Sequence, residues 1–391
     1  MEKQETRVYG LQFGLLCLSS FLFFASFNMI IPELPDYLTS LGGEEYKGLI
    51  ISLFTLTAGL SRPFSGQLAD KIGRVPVMVV GGAVCILCGF LYPVTGSVAA
   101  FLLLRFIHGF STGFTPTGTA AYVADIIPVQ RRGEATGLLG LSGSLGMAAG
   151  PALGGAIANQ FSLDIMFYTS SLAAFLSVAV IARMKETVQD KHHFRMGLLR
   201  ISRSELFEPR VIAPSLVLFF TVFSFGTILT VVPDFSEFLG IRNKGLFFLS
   251  FTLSSLAIRF VAGRISDKYG RVIILRISTF VLMLAMLAVG FSTSLTELML
   301  AGVLFGIGQG MNSPTVFAWT IDLSLEAHRG RAMATMYIAL EAGIGIGALC
   351  SGWLYNNNPD NFRLVFLTSA FVVMISLFYL LFFVKVPPRK Y

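Results

Sequence analysis

Side chains between residues 62 and 133 return in the same order, at a constant offset of 197 residues, between 259 and 330. Arg62 recurs as Arg259, Gly66 as Gly263, Asp70 as Asp267, Lys71 as Lys268, Gly73 as Gly270 and Arg74 as Arg271. Asp125, Arg132 and Gly133 recur as Asp322, Arg329 and Gly330. An offset of about half the chain means two copies of one fold joined end to end. The chain is also too apolar for water. Of its 391 residues 54% are hydrophobic and only 13% charged, with a mean hydropathy of +0.73. A soluble domain carries roughly 25% charged residues. Two such copies point to a pair of membrane bundles with a pathway between them.

Apolar stretches lie near 11–32, 46–65, 76–95, 98–122, 134–157 and 164–184, and again near 211–233, 245–265, 272–292, 295–320, 331–354 and 362–384. About 20 residues of helix cross a hydrocarbon core of about 30 Å. The expected fold is therefore an all-α membrane protein of twelve transmembrane helices in two pseudo-symmetric six-helix bundles. The divisions fall at 1–184, a polar linker at 185–210, and 211–391. The short charged leader (Glu2, Lys3, Glu5, Arg7) has no clear small-residue cleavage site after it, so span 1 reads as a retained helix.

Lys and Arg outnumber Asp and Glu by 29 to 22, and the excess sits in the loops at 62–76, 131–132, 183–210, 259–276, 329–331 and 385–390. The opposite loops hold only Lys47, Arg242, Lys244 and Arg363. The positive-inside rule places both termini in the cytoplasm of a cell (inner or plasma) membrane. The net charge of +7 belongs to these loops, and no nucleic-acid partner is expected. In the linker, Phe194, Leu198 and Ile201 recur at helical spacing among basic residues, which suits either a helix on the lipid surface or a flexible tether. Cys17, Cys85, Cys88 and Cys350 all fall inside apolar spans, so Cys85 and Cys88 read as packing residues and no metal site is expected. His192 and His193 read as a solvated loop pair.

The loop between spans 2 and 3 runs Gly66-Gln-Leu-Ala-Asp70-Lys71-Ile-Gly73-Arg74, and its counterpart runs Gly263-Arg-Ile-Ser-Asp267-Lys268-Tyr-Gly270-Arg271. Glycine permits a sharp turn and close helix approach, and an aspartate there can meet the positive end of a neighbouring helix. Here the chain resembles the major facilitator superfamily, whose signature at this loop is G-x-L-a-D-[RK]-x-G-R-[RK]. The resemblance implies a conformational latch at these ten residues: Gly66, Asp70, Lys71, Gly73 and Arg74 with their repeats. Span 5 carries Gly146, Gly150, Pro151, Gly154 and Gly155. Its glycines three and four apart form a groove for close helix contact, and Pro151 loosens the backbone ladder. This segment is similar to the antiporter motif of the drug/proton antiporter branch, G-x(3)-G-P-x-x-G-G, which implies export. The second copy has Ala348 in place of the proline.

An arginine within a span costs at least about 2.5 kcal/mol unless it faces protein or water, which makes Arg105 in span 4 a functional candidate. The resemblance implies proton coupling for an arginine in the segment Arg105-Phe-Ile-His108-Gly109; a snorkelling residue is the alternative. His108 and Thr112 share its face, and His108 reads either as a titrating group or as a packed one. Glu341 lies about ten residues into span 11, near mid-membrane. A carboxyl there reads either as a substrate or proton site, taking up and releasing a proton as the cavity alternates between aqueous faces, or as a structural polar contact. Tyr337, one turn earlier, shares its face, while Ser144 occupies the corresponding position in the first copy. Asn28, Gln309, Asn312 and Ser313 are further cavity candidates, near Phe24, Phe27, Phe223 and Phe225 in depth. Several drug antiporters of the family carry an acid about where Asn28 stands. Glu33 and Asp36 are expected as solvated acids at the outer mouth.

No nucleotide-binding loop and no nucleophile–base constellation is present, so neither ATP nor enzymatic chemistry is expected. With no cofactor, the proton gradient is the remaining energy source. The expectation is proton-coupled efflux of a small organic molecule or drug by alternating access, in a protein functional as a monomer. A proton-coupled importer or uniporter of a sugar or metabolite is the alternative, and a non-transporting receptor or scaffold a lesser one.

Overall fold

The computed structural model describes residues 10–128, 131–189, 194–195, 207–325 and 329–384. The basic linker segment around Leu198 and Ile201, and His192 and His193, lie outside them. The helices are α1 (Leu11–Ile30), α2 (Leu34–Ser40), α3 (Lys47–Lys71), α4 (Arg74–Leu91), α5 (Val98–Ile126), α6 (Arg132–Gln160), α7 (Leu163–Ile181), α8 (Ile212–Phe238), α9 (Gly245–Tyr269), α10 (Arg271–Phe291), α11 (Leu295–Leu323), α12 (Arg329–Tyr355) and α13 (Phe362–Phe382). The short α2 continues α1 beyond a turn at Pro32, so α3 to α13 correspond to spans 2 to 12.

Among the described residues nine helical segments are long and apolar enough to cross a membrane, and α9 is a tenth if its two bent segments are taken together. The remaining long helices, α3 and α11, are more polar. The first carries Thr55, Thr57, Ser61, Arg62 and Ser65, the second Gln309, Asn312, Ser313 and Thr315. Several of these polar side chains find partners inside the protein: Ser65 donates to the Gly113 carbonyl (2.6 Å) and Asn312 Nδ2 to Ser278 (3.2 Å), whereas Gln309 Oε1 is buried without one. Burial of polar groups is tolerated because they are paired.

The repeat fixes the local details of both copies. Ser97 and Ser294, 197 residues apart, cap α5 and α11 by accepting from the amides of Ala100 and Glu297 at 3.3 Å each. Gly73 and Gly270 adopt φ of +135° and +93° at the starts of α4 and α10, a region open to glycine and costly to other residues. Packing repeats as well. In the first copy α1 packs on α6 and α7, α3 on α5, and α4 on α5 and α7. In the second, α8 packs on α12 and α13, α9 on α11, and α10 on α11 and α13. The copies meet along two main seams, α3 with α12 and α6 with α9, which are themselves related by the repeat. Leu56, Leu60, Phe90, Phe175, Trp353 and Phe371 are exposed on the perimeter, as lipid-facing residues must be.

Candidate functional site

Both seams carry an arginine that reaches across to the other copy. On the α3–α12 seam, Arg62 Nη2 and Nε donate to Glu341 Oε1 at 2.6 and 3.1 Å. The Arg62 guanidinium also lies over the Tyr337 ring, 4.5 Å from its centroid. The Cβ of a residue at Gly59 would lie 3.2 Å from the Glu341 Cβ, so the missing side chain makes room for the carboxylate. Glu341 is 8% exposed. Glu341 is therefore the buried member of a charge-assisted pair with the half-buried Arg62, joining residues 279 apart, and leaving a buried charge unpaired costs up to about 3–5 kcal/mol. On the α6–α9 seam, Arg259 Nη1 donates to Ser144 Oγ at 3.2 Å. Arg259 is the repeat of Arg62 and Ser144 corresponds to Glu341, so the two contacts are copies of each other. One is an ion pair and the other a neutral hydrogen bond.

Toward the ends of α3 and α9 that begin at Lys47 and Gly245, the copies close upon each other. The ideal Cβ of a residue at Gly245 would stand 2.1 Å from the Pro151 carbonyl oxygen. At the repeated position, a Cβ on Gly48 would stand 3.0 Å from the Ala348 oxygen. Glycine allows backbone to touch backbone here. Two lysines, again 197 apart, bind across the closure: Lys47 pairs with Asp234, and Lys244 with Asp36. Lys47 also donates to Asn357 Oδ1 (2.9 Å) and Lys244 to Glu237 Oε2 (2.8 Å). Both lysines are buried. Burial disfavours the Lys244 ammonium, but Asp36 and Glu237 outweigh it, so its pKa lies above the usual lysine value. Asn159 and Asn243 add bonds to the Arg242 and Ala152 carbonyls across the same closure. Asp36, Lys47, Asp234, Glu237 and Tyr355 line an open cleft of about 600 Å³ at its mouth. The acids expected as solvated are thus used otherwise: Asp36 is paired, and Glu33 is buried with Oε1 lacking a hydrogen-bond partner.

Breaking the Lys47 pair is expected to open this closure. Asp234→Ala leaves the buried ammonium without its carboxylate, at a cost of about 3–5 kcal/mol. A cysteine at Thr39, on the cleft wall, should then react with an impermeant maleimide at least about tenfold faster than in the parent. Unchanged labelling would show that the pair does not hold the closure.

At the opposite, basic ends of the seams, the ten loop residues are brought together within each copy. Arg74 pairs with Asp70 and donates to Asp125 Oδ2 (3.0 Å); Arg271 pairs with Asp267 and donates to Asp322 Oδ2 (3.0 Å). Lys71 and Lys268 are exposed, the latter over the Tyr269 ring. The start of α4 is met by Glu186, not by Asp70: its two carboxylate oxygens accept from the Arg74 and Val75 amides at 3.0 Å each. A Cβ on Gly66, Gly137, Gly140 or Gly263 would meet nothing within 4 Å. Among the described residues no hydrogen bond crosses between the copies on the basic side of the Arg62 and Arg259 contacts. Among the described residues the copies are therefore bonded to each other at one face and not at the other.

The span 5 glycines divide by face. Gly146, Gly150 and Gly154 lie against α1, where a Cβ would come within 2.4 Å of the Phe21 oxygen, 2.6 Å of the Ala25 oxygen and 2.0 Å of the Met29 oxygen. Pro151 and Gly155 face the second copy, at Gly245 and Asn243. Arg105 is fully enclosed in the first copy. Its Nε donates to the Ile50 carbonyl (2.9 Å), Nη1 lies 3.2 Å from Tyr92 Oη, and Phe54 lies beneath the guanidinium. Tyr92 Oη continues to His108 Nδ1 (3.1 Å), whose Nε2 is 3.3 Å from Cys85 Sγ. This polar chain does not reach the Arg62–Glu341 pair. Asn28 Nδ2 donates to the Phe24 carbonyl of its own helix (2.8 Å). Asn312 is enclosed in the second copy with Thr221, Ser278 and Thr279 around its amide. Gln309 Oε1 is buried without a hydrogen-bond partner. Phe27 and Phe223 are buried, and Phe24 and Phe225 half-buried.

Known proteins that this chain resembles include an efflux pump, a multidrug resistance protein and a nucleoside transporter. The chain is 30% identical over 347 residues to the multi-drug resistance efflux pump PmrA of Streptococcus pneumoniae serotype 4, covering 84% of this chain and 86% of that one. It is 27% identical to the multidrug resistance protein MdtG of Dickeya zeae, over 91% and 90% of the two chains. The crystal structure of the nucleoside transporter NupG superposes with a TM-score of 0.79 at 14% identity, covering 96% of this chain and all of the other, and so shares the fold. The Major Facilitator Superfamily profile matches residues 16–257 and 215–391. With its long helices and repeated seams among the described residues, and with these matches, the chain belongs to the Major Facilitator Superfamily and is a multi-pass membrane transporter.

Proposed function

We infer that the protein is a proton-driven exporter of small organic molecules, with the basic face and both termini in the cytoplasm. The bundles at 1–184 and 211–391 would rock about the two seams, and the present state is the one open to the cytoplasm. The carrying observation is the Arg62–Glu341 pair between the bundles, with its carboxylate buried. A carboxylate in that position has two stable conditions. Deprotonated, it is held by Arg62 and draws α3 and α12 together; protonated, it releases them at little electrostatic cost.

The cycle follows from that switch. In the state open to the outside, Glu341 takes a proton, and the Lys47 and Lys244 pairs are parted. When the outer face closes, those pairs form, and the proton leaves from Glu341 to the cytoplasmic side as Arg62 returns to it. Substrate entering the cytoplasmic cleft then favours reopening outward. The loop residues around Asp70 and Asp267 would contact the opposite bundle in that other state, being committed to their own copies here. Each inward proton supplies about 2.3 kcal/mol per 100 mV of potential. The names of PmrA and MdtG support efflux of drugs as the cargo class.

Expression in a cell lacking its own efflux pumps should lower accumulation of at least one dye from a cationic and anionic panel, and a protonophore should abolish the difference. Accumulation that rises with the proton gradient would make the protein an importer.

A further inference from the structure

The two seams differ by a set of coordinated truncations. Around Arg62 stand Glu341, Tyr337 and, edge-to-face against that tyrosine at 5.6 Å, Phe317. At the positions 197 residues earlier stand Ser144, Gly140 and Ala120. A carboxylate and two aromatic rings are therefore deleted from the surroundings of Arg259. The space they would fill is open: Gly140 and Ala120 are exposed, and a Cβ on Gly140 would meet nothing within 4 Å. Arg259 itself is exposed, and Ser144 Oγ is its one hydrogen-bond partner among the described residues. Leu256, standing where the first copy has Gly59, adds a buried apolar wall.

We propose that Arg259, with Ser144, Gly140, Ala120 and Leu256, forms a subsite for a planar aromatic carboxylate. Tyr337 and Glu341 on the other seam supply the template: a ring beneath a guanidinium and a carboxylate at its edge. A guanidinium offers a planar fork of donors that a carboxylate engages in two parallel bonds, and it stacks on aromatic faces. Ser144 Oγ is available as a second donor. A cationic ligand is disfavoured by Arg259, which has no carboxylate partner among the described residues. The assignment rests on the transport reading only in taking this seam as part of the substrate pathway.

Binding of 2-naphthoate to the detergent-solubilised full chain tests it without any proton gradient, so a failure of proton coupling leaves this readout intact. The parent should bind 2-naphthoate at least about tenfold more tightly than 2-naphthamide, which lacks the charge, and than cyclohexanecarboxylate, which lacks the aromatic face. Arg259→Gln should lose about tenfold or more, with Arg259→Lys between the two. Filling the space from within by Gly140→Tyr with Ser144→Glu and Leu256→Gly, which together copy the side chains and the clearance of the other seam, should abolish binding. Equal affinity for naphthoate and naphthamide, binding unchanged in Arg259→Gln or in the filled variant, or no naphthoate binding at millimolar concentration would each overturn the proposal.

Discussion

Gly245→Val is expected to reduce transport to background and to hold the protein open at the face that is closed here. The Cβ of any residue at 245 would lie 2.1 Å from the Pro151 oxygen, 2.3 Å from its carbonyl carbon and 2.7 Å from the Ala152 nitrogen. These are backbone atoms of α6, so no rotamer change relieves the clash. Overpacking costs about 1–3 kcal/mol where side chains can give way, and here they cannot. About 5.5 kcal/mol is enough to invert a 99:1 conformational equilibrium. The variant should remain folded, because the clash exists only where α6 and α9 meet. Fast maleimide labelling of a cysteine at Thr39, together with loss of dye efflux, is the expected result. The repeated position gives an internal control: a Cβ at Gly48 would sit 3.0 Å from the Ala348 oxygen, so Gly48→Ala should impair transport less. Normal transport by Gly245→Val would mean that this closure is not part of the cycle.

Glu341→Gln is expected to abolish uphill, proton-driven transport while leaving downhill exchange measurable. Glutamine keeps the size of the side chain and can still accept from Arg62, but it cannot take up a proton. The seam then loses its charge-assisted pair and the switch that protonation provides. Transport measured against substrate gradients should fall to background, and the remaining downhill flux should no longer depend on an imposed pH difference. Retained uphill transport would remove Glu341 from the coupling step. Because Arg105 and His108 lie in a separate polar chain within the first bundle, their substitution is a different experiment with a different meaning.

Much of the architecture is legible in the sequence because it is periodic. Apolar runs of membrane length, the 197-residue offset and the basic loops each state one thing repeatedly, and the paired caps at Ser97 and Ser294 follow from the same duplication. Glu341 is legible for the opposite reason: it is a carboxylate where an apolar residue should be, and its counterpart is Ser144. Its partner is not legible. Arg62 reads as one more residue of a basic, repeated loop segment, and the contact joins positions 279 apart on different copies. Lys47 and Lys244 are hidden in the same way. They read as sparse loop charges, yet their offset of 197 and the nearness of Asp234 and Asp36 in the fold make them the clasp of the closed face. Asp36 and Glu33 follow: solvated by pattern, engaged or enclosed once the bundles meet. Asn312 is legible as a polar residue inside a span, but its bonds to Thr221 and Ser278 within its own copy are not.

In the proposed antiport a proton moves one way as substrate moves the other. Proteoliposomes containing the protein and an entrapped pH-sensitive dye, given an outward substrate gradient, report this directly. The lumen should acidify as substrate leaves it, and Glu341→Gln should abolish the acidification. Protons leaving with the substrate, or substrate flux with no change in luminal pH, would contradict it.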